Sequence, residues 1–181
     1  MKTVDKYTFQ ALDNYPYWLE GTIESLDYAL SYDAKNTMAL GLYGRIYAEQ
    51  LLDYETAKQY FQEALGVNIH SLAVYPHYIQ TLLLNEDYEE ATKLIDFALT
   101  IKGINKAEIL LKKVLLLERT NALKQALKLL KEVKLSTFSS ETYEIDEVEK
   151  RLKAKKELLS GKKKAEKSNN DDKAKKKSKK K

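Results

Sequence analysis

The sequence predicts an all-α chain of stacked helix pairs, closed by a capping helix and followed by a lysine-rich tail. Three observations carry this. Only two prolines and six glycines interrupt 181 residues, and apolar residues recur every three or four positions with no sustained alternation of period two. Sliding the chain against itself aligns Thr22, Ala57, Ala91 and Ala126, separated by 35, 34 and 35 residues. Finally, the net charge of +4 hides a split: residues 161–181 hold eleven lysines and three acids (Glu166, Asp171, Asp172), net +8, which leaves 20 basic and 24 acidic side chains, net −4, on the first 160 residues.

Three further columns share the period. Leu19, Tyr54, Tyr88 and Leu123 stand three residues before the small residue. Leu26, Phe61, Ile95 and Leu130 follow four residues after it, and Ala29, Ala64, Ala98 and Val133 seven after it. Positions −3, 0, +4 and +7 lie on one face of an α-helix, so each unit has a helix whose buried stripe mixes small and large side chains. A second helix precedes each: its stripe reads Leu40, Tyr43, Tyr47, then Tyr75, Tyr78, Leu82, then Leu110, Val114, Leu117. The turns between partners are Leu52-Asp53-Tyr54, Glu86-Asp87-Tyr88 and Asn121-Ala122-Leu123. Asp53 and Asp87 are expected as N-caps, Asp87 with Glu90 as a capping box, and Asn105 with Glu108 repeats that signal. Gly66 and Gly103 fit helix ends, and Pro76 fits the first turns of its helix, where a missing N–H costs least. A last helix, about residues 141–159, puts Ile145, Val148, Leu152 and Leu159 on one face, as a cap for the terminal pair requires.

A helix–turn–helix unit of 34–35 residues resembles the tetratricopeptide repeat family. The second unit carries the likeness most clearly: Tyr43, Gly44, Tyr47, Tyr54, Ala57, Phe61 and Ala64 occupy the family's signature positions, with one extra residue in the turn. The third keeps Tyr75, Tyr78, Tyr88, Ala91 and Ala98 but has Ile79 at the small position. The fourth has Val114 there and Val133 for the last alanine. The first has Thr22 for the key alanine and a turn lengthened by Asn14-Tyr15-Pro16. The resemblance implies a right-handed α-solenoid of about four units: residues 1–36, 37–70, 71–104 and 105–138, then the capping helix at 139–160 and a disordered tail at 161–181.

The family's register lines a concave groove with the first helix of each unit. It places there Met38, Gly41, Leu42, Arg45 and Glu49, then Ala73, His77, Gln80 and Leu84, then Glu108, Leu111, Lys112, Leu115 and Arg119. The family's carboxylate-gripping Lys/Asn/Arg set is not reproduced, since Gly41, Pro76 and Leu111 sit at one of its key positions. The implied role is a scaffold that holds a peptide or helical segment of a protein partner. Packing of the same residues against a neighbouring element, such as the N-terminal helix, is the alternative.

Other chemistry is sparse. With no cysteine and two histidines, thiolate metal sites and histidine-rich sites are excluded. His70 and His77 read as surface or groove residues, with only Glu86 or Asp87 as further ligand candidates, and neither cofactor nor metal is expected. None of the phosphate-cradling glycine loops or the zinc-protease and serine-hydrolase motifs occurs, so the reading is a non-enzyme. The thirteen tyrosines read as gap-fillers between helices with the hydroxyl at the edge. The Tyr15-Pro16-Tyr17-Trp18 cluster reads as packing across the first pair rather than an exposed patch.

The tail has no apolar residue larger than alanine and is expected to be disordered. Its lysines (Lys162, Lys163, Lys164, Lys175, Lys176, Lys177, Lys179, Lys180, Lys181) offer a rival function: sequence-blind electrostatic binding to nucleic acid or a ribosome surface. Self-association through open solenoid ends is a second rival. No signal peptide, anchor or membrane partner is expected, and the chain reads as cytoplasmic.

Overall fold

The computed structural model describes residues 5–137 and 143–160, and every regular element among them is helical. The elements are α1 (Lys6–Asn14), α2 (Leu19–Tyr32), α3 (Thr37–Glu49), α4 (Tyr54–Val67), α5 (Val74–Leu84), α6 (Tyr88–Ala98), α7 (Lys106–Arg119) and α8 (Leu123–Ser136). Residues 143–160 form a ninth helix, α9. The chain divides into two compact units between Lys112 and Lys113, within α7. Among the described residues no helix is long and apolar enough to cross a membrane.

In the first unit α1 packs on α2, α3 on α4 and α5 on α6, while α3 also touches α1, α2 and α5, and α4 touches α5. The repeat columns explain this adjacency. Thr22, Ala57 and Ala91 are fully buried, as are Leu26, Phe61, Ile95, Ala29, Ala64 and Ala98. Small residues admit the neighbour and large ones fill the space it leaves. Gly44 shows how tight the α3–α4 approach is: a Cβ there would stand 2.6 Å from the Phe61 ring.

The helix starts are tied together by side chains. Asp5 caps α1 by accepting from the Thr8 N–H at 2.9 Å, and Asn36 caps α3 by accepting from the Met38 and Ala39 N–H groups. Asn36 Nδ2 also donates to Asp5 Oδ2 (2.6 Å) and Thr8 Oγ1 (2.8 Å), joining the starts of α1 and α3. Asp53 caps α4 through the Thr56 N–H as the sequence implies, and Asn105 accepts from the Glu108 N–H. Asp87 departs from expectation. It sits at the N-cap position, yet its side chain makes no capping bond. Its carboxylate accepts from Lys58 Nζ and Asn85 Nδ2, both at 2.7 Å, while Glu90 accepts from the Tyr78 hydroxyl. A lysine one pair away takes the place of the local amide, because it brings a full opposite charge where the amide brings only a dipole.

The three turns share a feature that the sequence conceals. Leu52, Glu86 and Asn121 all have positive φ (55°, 64° and 59°). These are the first residues of the three aligned turns, so the backbone repeats where the side chains do not. Gly103 is left-handed as well, at φ 90°, Gly66 lies in the last turn of α4, and Pro76 is the third residue of α5. In the first turn the Tyr15–Pro16 peptide is cis. The aromatic cluster there divides: Tyr15 is buried, Trp18 lies over Gly21, and Tyr17 is 94 % exposed.

In the second unit the buried residues are Val114 and Leu116 of α7, Leu123, Ala126, Leu130 and Val133 of α8, and Ile145, Val148 and Leu152 of α9. Two expectations are corrected. Leu110 and Leu117 are only half-buried, while Ile109 and Leu116 are buried: the inward stripe of α7 is turned by one residue on either side of Val114. Leu159 is 45 % exposed, because every residue of α9 beyond Leu152 is exposed. Glu118, only 5 % exposed at its side chain, is gripped by the Arg151 guanidinium through two bonds of 2.8 Å and by Lys155 Nζ at 2.7 Å. Lys134 bridges Asp146 and Glu149 of α9.

Candidate functional site

The first unit contains a cleft of about 180 Å³ between α1, α3 and α5. Six of the groove positions read from the sequence line it: Met38, Gly41, Leu42, Arg45, Ala73 and His77. Leu12, Thr37, Ser71, Leu72 and Val74 complete the wall. The floor is apolar, and Leu42 is 3 % exposed, so it supports the cleft from beneath rather than presenting a free side chain. Gly41 lets α3 approach α5 closely beside the cleft, since a Cβ there would meet Val74 at 3.2 Å.

Glu49 organises the polar rim. Its carboxylate accepts from the Tyr15 hydroxyl and from Arg45 at 3.1 and 3.3 Å, and lies 3.3 Å from His77 Nδ1. The Arg45 guanidinium in turn lies over the Tyr15 ring, 4.7 Å from its centroid. Burial disfavours the Glu49 charge, but the bonds from His77, Arg45 and Tyr15 outweigh it and hold the carboxyl at about 2. Burial, then the bond to Glu49, pushes the Tyr15 phenol up. The outcome is a guanidinium fixed by a carboxylate and an aromatic face, with donors to spare at the cleft edge. A carboxylate so engaged is a weak proton acceptor.

The remaining groove positions are spread out. Lys112 Nζ donates to Gln80 Oε1 at 3.1 Å. Leu84 and Glu108 are exposed, and Leu111 is buried. In the second unit Leu115 is half-buried and Arg119 exposed. The tail lysines, Lys162 to Lys181, lie outside the described residues. His70 is exposed, and among the described residues no group of three or more His, Asp and Glu side chains gathers as a metal site.

The sequence reading named the N-terminal helix only as an alternative neighbour of the groove residues. Leu12 of α1 lines the cleft, and Tyr15, the residue that follows α1, bonds Glu49 and lies beneath Arg45. Their signal was present: Tyr15 precedes Glu49 by 34 residues, one repeat, in an aromatic cluster off the columns. No family model matches the chain, and none of the curated proteins compared with it matches.

Proposed function

We propose that the chain is a non-catalytic binding module of tetratricopeptide-like helix pairs in a right-handed solenoid, which holds a short segment of a protein partner in the cleft between α1, α3 and α5. The cytoplasm is its proposed location. The observation that carries the reading is the convergence of Met38, Gly41, Leu42, Arg45, Ala73 and His77 on one apolar-floored, polar-rimmed cleft. A volume of about 180 Å³ suits one or two large side chains of an extended or helical segment. The preorganised Arg45 at the edge would fix the segment's direction, because a donor held in place loses little freedom on binding. The lysine tail supports a second reading, in which residues 161–181 add sequence-blind affinity for polyanions.

Peptides selected for binding to the full chain from a random library test the first reading. Met38→Asp and Ala73→Glu should each abolish binding of the selected peptides while leaving far-UV circular dichroism unchanged. Peptides that bind both variants as they bind the parent would place the binding surface elsewhere.

A further inference from the structure

The described part of the second unit carries a charged surface that the groove reading does not use. Lys124, Lys128 and Lys131 are spaced i, i+4, i+7 on α8 and are all exposed, opposite the buried Leu123, Ala126, Leu130 and Val133. Along the axis they span about 10 Å at 1.5 Å per residue. Neighbouring cations are committed: Lys134 to Asp146 and Glu149, Lys153 to Glu149, Arg151 and Lys155 to Glu118. Lys124, Lys128 and Lys131 have no such carboxylate partner within the described residues. Lys156 of α9 joins them, lining one depression with Lys124 and the start of α8.

The surrounding charge has the same sign. Residues 1–112 carry 9 basic and 16 acidic side chains, net −7. Residues 113–181 carry 22 and 11, net +11, and the described residues among them, 113–137 and 143–160, carry 11 and 7, net +4. We infer that the Lys124–Lys128–Lys131 face of α8, extended by Lys156, is a docking surface for the phosphate backbone of a nucleic acid. A row of point charges without arginine forks or aromatic rings fits the repeating charge of a backbone and leaves the bases unread. A bilayer surface would require apolar side chains beside the cations, and the exposed positions of α8 offer one, Leu135. The inference is independent of the cleft, which belongs to the other unit.

The test is fluorescence anisotropy of the full chain with a labelled single-stranded RNA homopolymer, titrated at several salt concentrations. Lys124→Gln/Lys128→Gln/Lys131→Gln should weaken binding about tenfold or more and flatten the log–log salt slope by about 2, at about 0.7 per phosphate contact. Glutamine keeps helix propensity close to that of lysine, and Lys128→Glu alone gives a second variant with a single change. The charge-matched control Lys35→Gln/Lys93→Gln/Lys102→Gln, on exposed sites of the first unit, should stay within about twofold of the parent. Unchanged binding by the α8 variant would overturn the inference. So would equal loss in both triple variants, which marks a net-charge effect, or binding to phosphatidylserine vesicles without binding to RNA.

Discussion

Both units have an apolar core, but the polar contacts between helices differ. In residues 5–112 they come mostly from tyrosines, with the Lys58–Asp87 pair beside them, whereas in residues 113–137 and 143–160 they are ion pairs. Twelve of the thirteen tyrosines fall in the first unit. Tyr43 and Tyr47 both stack on Tyr60, and Phe61 stacks on Tyr78. The phenols of Tyr43 and Tyr78 donate to Asp27 and Glu90, and burial together with these carboxylates raises both phenols well above their ordinary range. In the second unit a leucine- and lysine-rich pair receives α9, held by Glu118 with Arg151 and Lys155 and by Lys134 with Asp146 and Glu149. The lesson is that one helix-pair pattern tolerates two kinds of glue. Ring stacking works at any ionic strength, while the ion pairs answer to pH and salt.

Phe61→Ala should destabilise the first unit by about 4 kcal/mol in chemical denaturation, because the ring is fully buried and its removal leaves a cavity beside Gly44. In the second unit the asymmetry of a buried charge decides the outcome. Arg151→Ala/Lys155→Ala strands the Glu118 carboxylate and should cost about 2–3 kcal/mol, discounted because both cations are half-exposed. Glu118→Gln leaves only solvated cations unpaired and should cost about 1 kcal/mol. Equal costs would contradict the account.

Acid sharpens the same contrast. The bonds from Arg151, opposed by burial and aided by Lys155, hold Glu118 at about 2 against 4.5 for a free glutamate. A carboxyl depressed on folding stabilises above its unfolded value and loses that contribution as pH falls from about 4.5 through about 2. Amide protection factors in α9, taken against the intrinsic exchange rate at each pH, should therefore fall across this window in the parent and change less in Glu118→Gln. At the small end, Tyr78→Phe removes one charge-assisted bond and should cost about 1 kcal/mol. Leu52→Gly should raise stability by about 0.5–1 kcal/mol in the same denaturation assay, by relieving an exposed left-handed leucine.

Much of this was legible because burial follows period. The small residues Thr22, Ala57, Ala91 and Ala126 align in sequence and are all fully buried. What stayed hidden were features set by partners far along the chain. Glu118 ends an apolar run, and nothing local marks it for Arg151, 33 residues on. Asp87 and Glu90 spell a capping box, but Lys58 and Tyr78 claim their oxygens. The left-handed turn residues carry no glycine to announce them. At the site, the first helices of the units were readable from register, whereas the contribution of α1 depended on a turn whose length departs from the pattern.

The most direct test of the central claim is photo-crosslinking in living cells from the full chain, with a photoreactive residue at Ala73 in the cleft or at the exposed Glu63 of α4. The account predicts a discrete protein crosslinked from position 73 and absent from position 63, unaffected by nuclease. Identical products from both positions, or none from position 73 while position 63 yields one, would contradict it.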